Sequence, residues 1–517
     1  MMTKLAEWKN KYGMQLWKGI VVLLFPTILC GVFCAIRGTA LSEMYAPDSF
    51  NNDSFFYFKM VQGVIENGFP KGYFGFDESR ALVGSFGVWS PLILTPWAIW
   101  GMLFGWGYAS AFACNIAFFS FALLVFVLLS RMEWKGICSM ICMLSLIPSL
   151  PLHLLSCLPE ANLLSFVVLF LGLAVGIQYT GRKQLYLAWM AVICIFLTII
   201  RPFMIILTVI PCYYLWKEKR KIGILYSLVL IGMCGGLYLL GSHYFSAPYF
   251  FEILNFSFFQ YLLQGQWYAA YRFLKECVKD IIPTILWFMK EAFDYGLTAG
   301  THYVIAVLTT VISLYHLFFD KKSNHKIIHF MLVMMNAAIV SSILLVYRQV
   351  NEGGRHIFLF AIAGCMIACL ESGKISYTAR GICVVIFMVI IGRGAMVPTD
   401  YDIPIQKEYT KNIITYWENA FQEKNFEMSD GIGYENTLIW CLGASYNELY
   451  GTPPGIGVSC CSEWYLTNHF SEIKCRFIAI PSGSTLDIMC NEAGYEEIGR
   501  SAQMVIYERF RLSNEAK

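Results

Sequence analysis

Charge is what this chain has least of. Asp, Glu, Lys and Arg make up 14% of its 517 residues, against about a quarter in ordinary soluble domains. Hydrophobic residues reach 57% and mean hydropathy is +0.56, which excludes a free-standing soluble enzyme. No internal repeat of the solenoid kind is present. Residues 398–517 contain no CxxC spacing, so a zinc ribbon there is unsupported. After the first apolar run there is no small-x-small cleavage site, so that run reads as an anchoring helix rather than a signal peptide.

What is there instead is a series of apolar runs, each close to the roughly 20 residues a membrane span needs. Eleven stand out: 19–37, 108–130, 136–152, 162–178, 185–200, 202–216, 222–243, 302–319, 327–347, 356–371 and 381–397. The expected fold is therefore a mainly α, polytopic membrane protein with about 11 transmembrane helices. Lysine and arginine in short loops mark the cytoplasmic side. Here they cluster at Lys4/Lys9/Lys11/Lys18, Arg131/Lys135, Arg182/Lys183, Lys217/Lys219/Arg220/Lys221, Lys321/Lys322/Lys326 and Lys374/Arg380. With those loops inside, an odd number of spans puts the C-terminal segment outside, in a multi-pass protein of the plasma membrane.

Three parts emerge. Residues 1–397 form a transmembrane domain with outer loops at 38–107 and 244–301, and 398–517 form an extracytoplasmic domain. Within the first loop, Ser90 to Gly105 is apolar but interrupted by Pro91 and Pro96, which predicts an interfacial or re-entrant helix with Trp89, Trp97, Trp100 and Trp106 at headgroup level. The second loop predicts amphipathic helices lying along the outer surface. In the terminal domain, 437–442, 476–480 and 501–507 read as short strands and the Gly431–Gly433 and Pro453–Gly455 stretches as turns, giving a small α/β unit. That unit carries 9 basic against 17 acidic residues, which argues against nucleic acid as a partner. Its five cysteines, Cys441, Cys460, Cys461, Cys475 and Cys490, leave a disulfide open without fixing a pairing. The remaining cysteines act as small apolar side chains.

The basic residues at outer helix ends are arginines: Arg37, Arg201, Arg348, Arg355 and Arg393. A guanidinium offers a planar fork of donors matched to phosphate oxygens. Five of them on the side normally depleted of positive charge point to an anionic ligand, and lipid headgroups account for them equally well one by one. Arg201-Pro202 divides an apolar stretch into two short helices and presents Arg201 at the surface. Acids converge on the same side: Asp53, with Tyr57 four residues on, then Asp77 and Glu78, then Glu160 in the tight turn Leu158–Asn162. Asp53 and Glu160 each suit a helix N-terminus. A carboxylate facing a membrane cleft also suits a general base that deprotonates an acceptor while a phosphate leaves. The coincidence with the arginines favours Asp53 in that role. His153, His243, His302 and His356 fall near the outer side without ligand spacing, so no metal is assigned. A divalent cation held by Asp53 and Glu160 is compatible with the residue types. The Gly353-Gly354 pair is expected to permit a turn into the next span.

In order and topology these residues resemble the GT-C membrane glycosyltransferases, particularly bacterial members related to protein O-mannosyltransferases and the lipid A aminoarabinose transferase. The resemblance covers residues 1–397. It is carried by Asp53 and Tyr57, the Pro91–Gly105 helix ending in Leu-Phe-Gly, Glu160, and Arg201-Pro202, with Arg355-His356 a looser match. The family's Asp-Glu pair is Asp53-Ser54 here, and its Arg-Tyr is Arg355-His356. The resemblance implies transfer of a sugar from a polyprenyl-phosphate carrier to an extracytoplasmic glycan, lipid or protein. It makes Asp53 the base and Glu160 a second acid. It also makes Arg201, Arg355 and Arg348 contacts to the donor phosphate, and Tyr57, Asp77, Glu78 and His356 further site candidates. A polysaccharide polymerase or ligase, a transporter or flippase of a lipid-linked or anionic substrate, and a non-catalytic assembly or sensor protein are the other readings the residues allow.

Overall fold

In a computed structural model, residues 2–47, 53–68, 73–79, 82–83, 90–245, 255–295, 298–394, 407–422 and 437–509 are described. Trp89 and the Gly431–Gly433 turn lie outside that set. The helices of the first half are α1 (Met2–Ile36), α2 (Asp53–Asn67), α3 (Thr95–Phe104), α4 (Ser110–Ser130), α5 (Trp134–Ser145), α6 (Ser149–Leu155), α7 (Glu160–Gly176), α8 (Lys183–Ile200), α9 (Val209–Glu218) and α10 (Arg220–Phe245). Then come α11 (Ser257–Leu263), α12 (Trp267–Tyr295), α13 (Thr298–Phe318), α14 (Lys326–Ser342), α15 (Val350–Ala368), α16 (Lys374–Gly394) and α17 (Lys407–Phe421). The terminal segment adds α18 (Glu463–His469) and α19 (Leu486–Glu492).

Eight helices among the described residues are long and apolar enough to cross a membrane, or nine when the pair α5 and α6, bent by 78°, counts as one. The bend falls at Pro148, where a proline removes a helical hydrogen bond. The runs 202–216 and 356–371 are shorter as helices, because Pro202 opens a 3₁₀ stretch, Pro202–Thr208, and α15 begins with a polar turn. Both nevertheless travel the length of the bundle. The 202–218 segment starts beside Glu160 at one end of α7, and its Tyr214 hydroxyl accepts from Gln178 Nε2 (2.9 Å) at the other. α15 starts beside Glu160 and ends at Glu371, where Ser323 donates to the carboxylate at 2.6 Å. The basic loops gather at that second end: Lys18 Nζ donates to the Met132 carbonyl (2.9 Å), and Gln178 Nε2 reaches the Asn324 carbonyl (3.2 Å). Leu228 and Leu239 of α10, 67% and 68% exposed, mark a face built for lipid.

At the opposite end sits a seven-stranded sheet in the order β2-β1-β4-β3-β5-β7-β6. Its strands are β1 (Tyr73–Phe76), β2 (Leu82–Val83), β3 (Thr437–Cys441), β4 (Gly457–Cys461), β5 (Phe477–Pro481), β6 (Tyr495–Arg500) and β7 (Met504–Arg509). The centre is parallel, with β1 on β4 (Phe74 opposite Val458), β4 on β3 and β3 on β5, and the edges are antiparallel. β3 and β4 are buried throughout, as continuous apolar runs in a parallel sheet should be. The expected strands at 437–442, 476–480 and 501–507 are present. Two further strands in the terminal segment went unread, and the first loop supplies β1 and β2 to the same sheet. The terminal cysteines are buried free thiols, as are most of the others, and no disulfide forms.

α2 is the link between sheet and bundle. Phe55 packs edge-on against Trp440 (5.9 Å) and Tyr450 (5.6 Å), and Phe58 against Tyr450 (5.1 Å). α3 is short, preceded by a 3₁₀ turn at Pro91–Leu94 and stopped at Gly105, whose φ of 85° suits glycine. The expected short helix is there, but Trp97 is not at headgroup level. It is fully buried, its Nε1 donating to Asn115 Oδ1 at 2.8 Å, because an indole N–H in the interior needs an acceptor. The second loop is helical, as expected: α12 runs 29 residues with Trp267, Tyr268 and Trp287 exposed.

Candidate functional site

Four helix ends and one turn converge beneath the sheet. α2 begins at Asp53, α7 begins at Glu160, α8 stops at Arg201 where Pro202 forbids its continuation, and α15 carries Arg355 in its second turn. The 156–159 turn before Glu160 is pinned from two sides. Asn115 Nδ2 donates to the Ser156 carbonyl (2.7 Å), and Ser54 Oγ accepts from the Cys157 N–H (2.7 Å). Ser54 is thus the group that ties the start of α2 to the start of α7, and it is fully buried.

The charges form a chain. Arg201 Nη2 donates to Glu160 Oε1 at 2.7 Å, with both side chains almost completely buried, at 3% and 1% exposure. Arg355 lies between the two acids: its Nη1 donates to Asp53 Oδ2 at 2.7 Å, while its Nε and Nη2 each lie 3.5 Å from a Glu160 oxygen. Asp53 is 36% exposed and Arg355 18%. Arg201 Nη1 also donates to His356 Nδ1, and the His356 ring is boxed by Phe203 and Tyr347. Buried charges of opposite sign are held only when paired and hydrogen-bonded in this way. Arg201 Nε is buried without a hydrogen-bond partner among the described residues. Tyr57 stands one turn along from Asp53, against Trp97 (6.3 Å between rings), and burial, with the Asp53 charge next, pushes its phenol well above the ordinary value. It therefore stays a hydroxyl donor.

Below this layer His302 Nδ1 pairs with the Gly354 carbonyl (2.9 Å) and its Nε2 with Ser149 Oγ (2.7 Å), while His153 stacks on Phe358 at 4.1 Å. These two histidines fasten α6, α13 and α15 together, and His243 is exposed at the end of α10. Gly353 and Gly354 do not make a turn. They lie inside α15, where a Cβ on Gly353 would meet Ile343 Cδ1 at 2.7 Å and one on Gly354 would meet Ala299 Cβ at 3.0 Å. Close helix packing, not backbone flexibility, is what requires them.

Of the residues singled out from the sequence, Asp53, Glu160, Arg201, Arg355, His356 and Tyr57 come together. Asp77, Glu78 and Arg348 make their contacts elsewhere. Asp77 accepts from the Ser462 N–H (2.7 Å) and hydroxyl (3.0 Å), joining the end of β1 to the start of α18. The Glu78 carbonyl accepts from Ser459 Oγ at 2.7 Å. Arg348 lies over the Phe273 ring (5.6 Å) and 3.9 Å from Asp280, both on α12. Asn115 and Lys59, whose Nζ donates to the Thr452 carbonyl at 2.6 Å and so docks α2, were not singled out in the sequence. A polar residue inside an apolar run, such as Asn115 within 108–130, is the signal that marks it.

No family model and no curated protein matches the chain. It is similar to two solved membrane proteins at low identity. One is the archaeal oligosaccharyltransferase AglB from Archaeoglobus fulgidus in complex with an inhibitory peptide and a dolichol-phosphate, at 10% identity and a TM-score of 0.47, covering 92% of this chain and 70% of that one. The other is ArnT from Cupriavidus metallidurans bound to undecaprenyl phosphate, at 11% identity and a TM-score of 0.44, covering 95% and 98%. ArnT in the apo state is similar at 11% and 0.42.

Proposed function

We propose that this chain is an integral-membrane glycosyltransferase that moves a sugar from a polyprenyl-phosphate donor to an extracytoplasmic glycan, lipid or protein acceptor. The observation that carries the reading is the division of labour between two acids sharing one arginine. Glu160 is sealed between Arg201 and Arg355 at 1% exposure, whereas the Asp53 side chain, paired with Arg355, is 36% exposed. Only Asp53 is reachable by an acceptor. Glu160 fixes the two guanidinium groups in space.

In the reaction Asp53 takes the proton of the acceptor hydroxyl or amine as that atom attacks the anomeric carbon. The bond from that carbon to the donor phosphate oxygen breaks, its electron pair leaving with the polyprenyl phosphate, and the anomeric centre inverts. Arg355, partly exposed, supplies donors for the charge that develops on the leaving phosphate, and Arg201, buried behind it, adds a fixed positive charge to the site. Because Arg355 occupies the space between Asp53 and Glu160, a guanidinium neutralises these carboxylates. The membrane end that gathers the lysine-rich loops is cytoplasmic in this reading, and the sheet and Asp53 face outward.

The test is release of free polyprenyl phosphate from a panel of undecaprenyl-phosphate sugars, by the protein in nanodiscs supplied with a cell-envelope extract. Asp53→Asn should lower turnover by about 10²- to 10⁴-fold at normal protein level, the usual worth of a positioned general base. Full turnover by that variant rules Asp53 out as the base.

A further inference from the structure

At the opposite end of the bundle lies a second buried polar cluster that the transfer chemistry does not use. His316 stands in the last turn of α13, His329 in the first turn of α14, and Glu371 in the turn between α15 and α16. All three are buried, and one ligand atom from each lies within 4.8 Å of the other two. The two imidazoles stack with centroids 5.0 Å apart and planes at 22°. His329 Nε2 is 3.2 Å from Glu371 Oε1. Two ligands bound about 2.0–2.2 Å from a tetrahedral zinc lie about 3.3 Å apart, so this pair already has the spacing.

The outward-turned nitrogens are also spoken for. His316 Nδ1 pairs with Asp320 Oδ2 at 2.9 Å, and His329 Nδ1 with Ser313 Oγ at 3.0 Å. A ligating histidine usually has its second nitrogen held in this manner, which fixes ring orientation and tautomer. Both Nε2 atoms are left on the inner side, that of His316 with only a long contact to Ser376 Oγ (3.4 Å). Ser323 Oγ donates to Glu371 Oε1 at 2.6 Å, and Arg380 binds the Glu371 carbonyl at 3.1 Å rather than its carboxylate. The carboxylates of Glu371 and Asp320 together match the charge of a divalent ion.

We infer that His316, His329 and Glu371 form a site for a zinc-type divalent cation, completed by one water, that ties α13, α14 and the α15–α16 turn together at the end remote from Asp53. Two imidazoles and one carboxylate are a donor set suited to zinc and to cobalt(II) and poorly suited to calcium or magnesium.

The test uses the full chain in detergent or nanodiscs, purified without a polyhistidine tag. After exposure to zinc and gel filtration it should retain about one zinc per chain, and cobalt(II) should give the intense visible absorption of a four-coordinate site. Asp320→Asn, at a half-buried position, should weaken zinc binding about 10- to 100-fold. His316→Gln and Glu371→Gln should abolish the cobalt spectrum, whereas His469→Gln, in the terminal domain, should leave it intact. Folded wild-type protein that retains no zinc and gives no cobalt band overturns the inference. So does a stoichiometric zinc that survives both His316→Gln and Glu371→Gln.

Discussion

The two ends of the bundle each bury a polar cluster, and they solve the same problem with different chemistry. Under the sheet, Glu160 is matched by two guanidinium groups, and the cluster opens toward solvent through Asp53. At the basic end, Glu371 meets imidazoles and a serine hydroxyl, and Arg380 is turned to backbone carbonyls. A permanently charged arginine commits a site to anions, while an imidazole leaves a nitrogen lone pair for a cation. The difference therefore lies in what each end is proposed to recruit: a phosphate at one and a metal ion at the other.

The sharpest way to break that contrast is to remove Arg201. Among arginines, Glu160 would keep the 3.5 Å approaches of Arg355 alone in a fully buried setting. Stripping one partner from a buried pair typically costs about 3–5 kcal/mol. Arg201→Ala should show a loss of that size in denaturant unfolding from mixed micelles, together with loss of transfer. Arg201→Lys should recover part of the stability and little of the activity, because a lysine lacks the fork that serves Glu160 and His356 together. A change below about 1 kcal/mol in Arg201→Ala would mean that the outer cluster is not held by charge.

A smaller effect tests what keeps Asp53 at the edge. Lys59, one and a half turns along α2, is buried and donates to the carbonyls of Thr452 (2.6 Å) and Pro453 (3.2 Å), which docks α2 onto the terminal segment. Burial, offset in part by the Glu66 charge, lowers its amine from 10.5 to about 7. The charged form is thus disfavoured in the fold. The penalty is full below about 7, shrinks as pH rises and vanishes above 10.5. Wild-type stability relative to Lys59→Met should therefore rise between pH 7 and 9, by up to about 1.4 kcal/mol per pH unit. Parallel pH profiles for the two proteins would show that Lys59 does not carry this shift.

Much of this was legible in the sequence, for reasons that differ by element. Apolar runs and lysine-rich loops report directly on spans, because each span satisfies its own backbone. Asp53, Glu160, Arg201 and Arg355 were readable because a charge at a helix end in an apolar chain has few structural excuses. β1 was not, since its partner β4 lies nearly 400 residues away and no local pattern encodes a long-range parallel register, and β2, two residues long, is paired only with β1. The histidine cluster was hidden in the same way: its members come from three elements, and neither His316 nor His329 follows a ligand spacing with Glu371. Trp97 was misplaced because a tryptophan near a membrane loop suits an interface until Asn115 supplies its acceptor.

The smallest predicted effect separates two acids of one loop. Asp53 and Asp77 looked alike as sequence, yet Asp77 binds Ser462 just past the C-terminal ends of β1 and β4, with a φ of 49° and both carboxylate oxygens turned to that residue. Its partners are a backbone N–H and a hydroxyl, so an asparagine keeps the acceptor and loses only the charge assistance, worth about 0.5–1.5 kcal/mol. Asp77→Asn should leave transfer within about twofold of wild type and slightly lower thermal stability, whereas Asp53→Asn should do the reverse. A collapse of transfer in Asp77→Asn with the fold intact would move the acceptor site toward the C-terminal ends of β1 and β4 and end the distinction between the two acids.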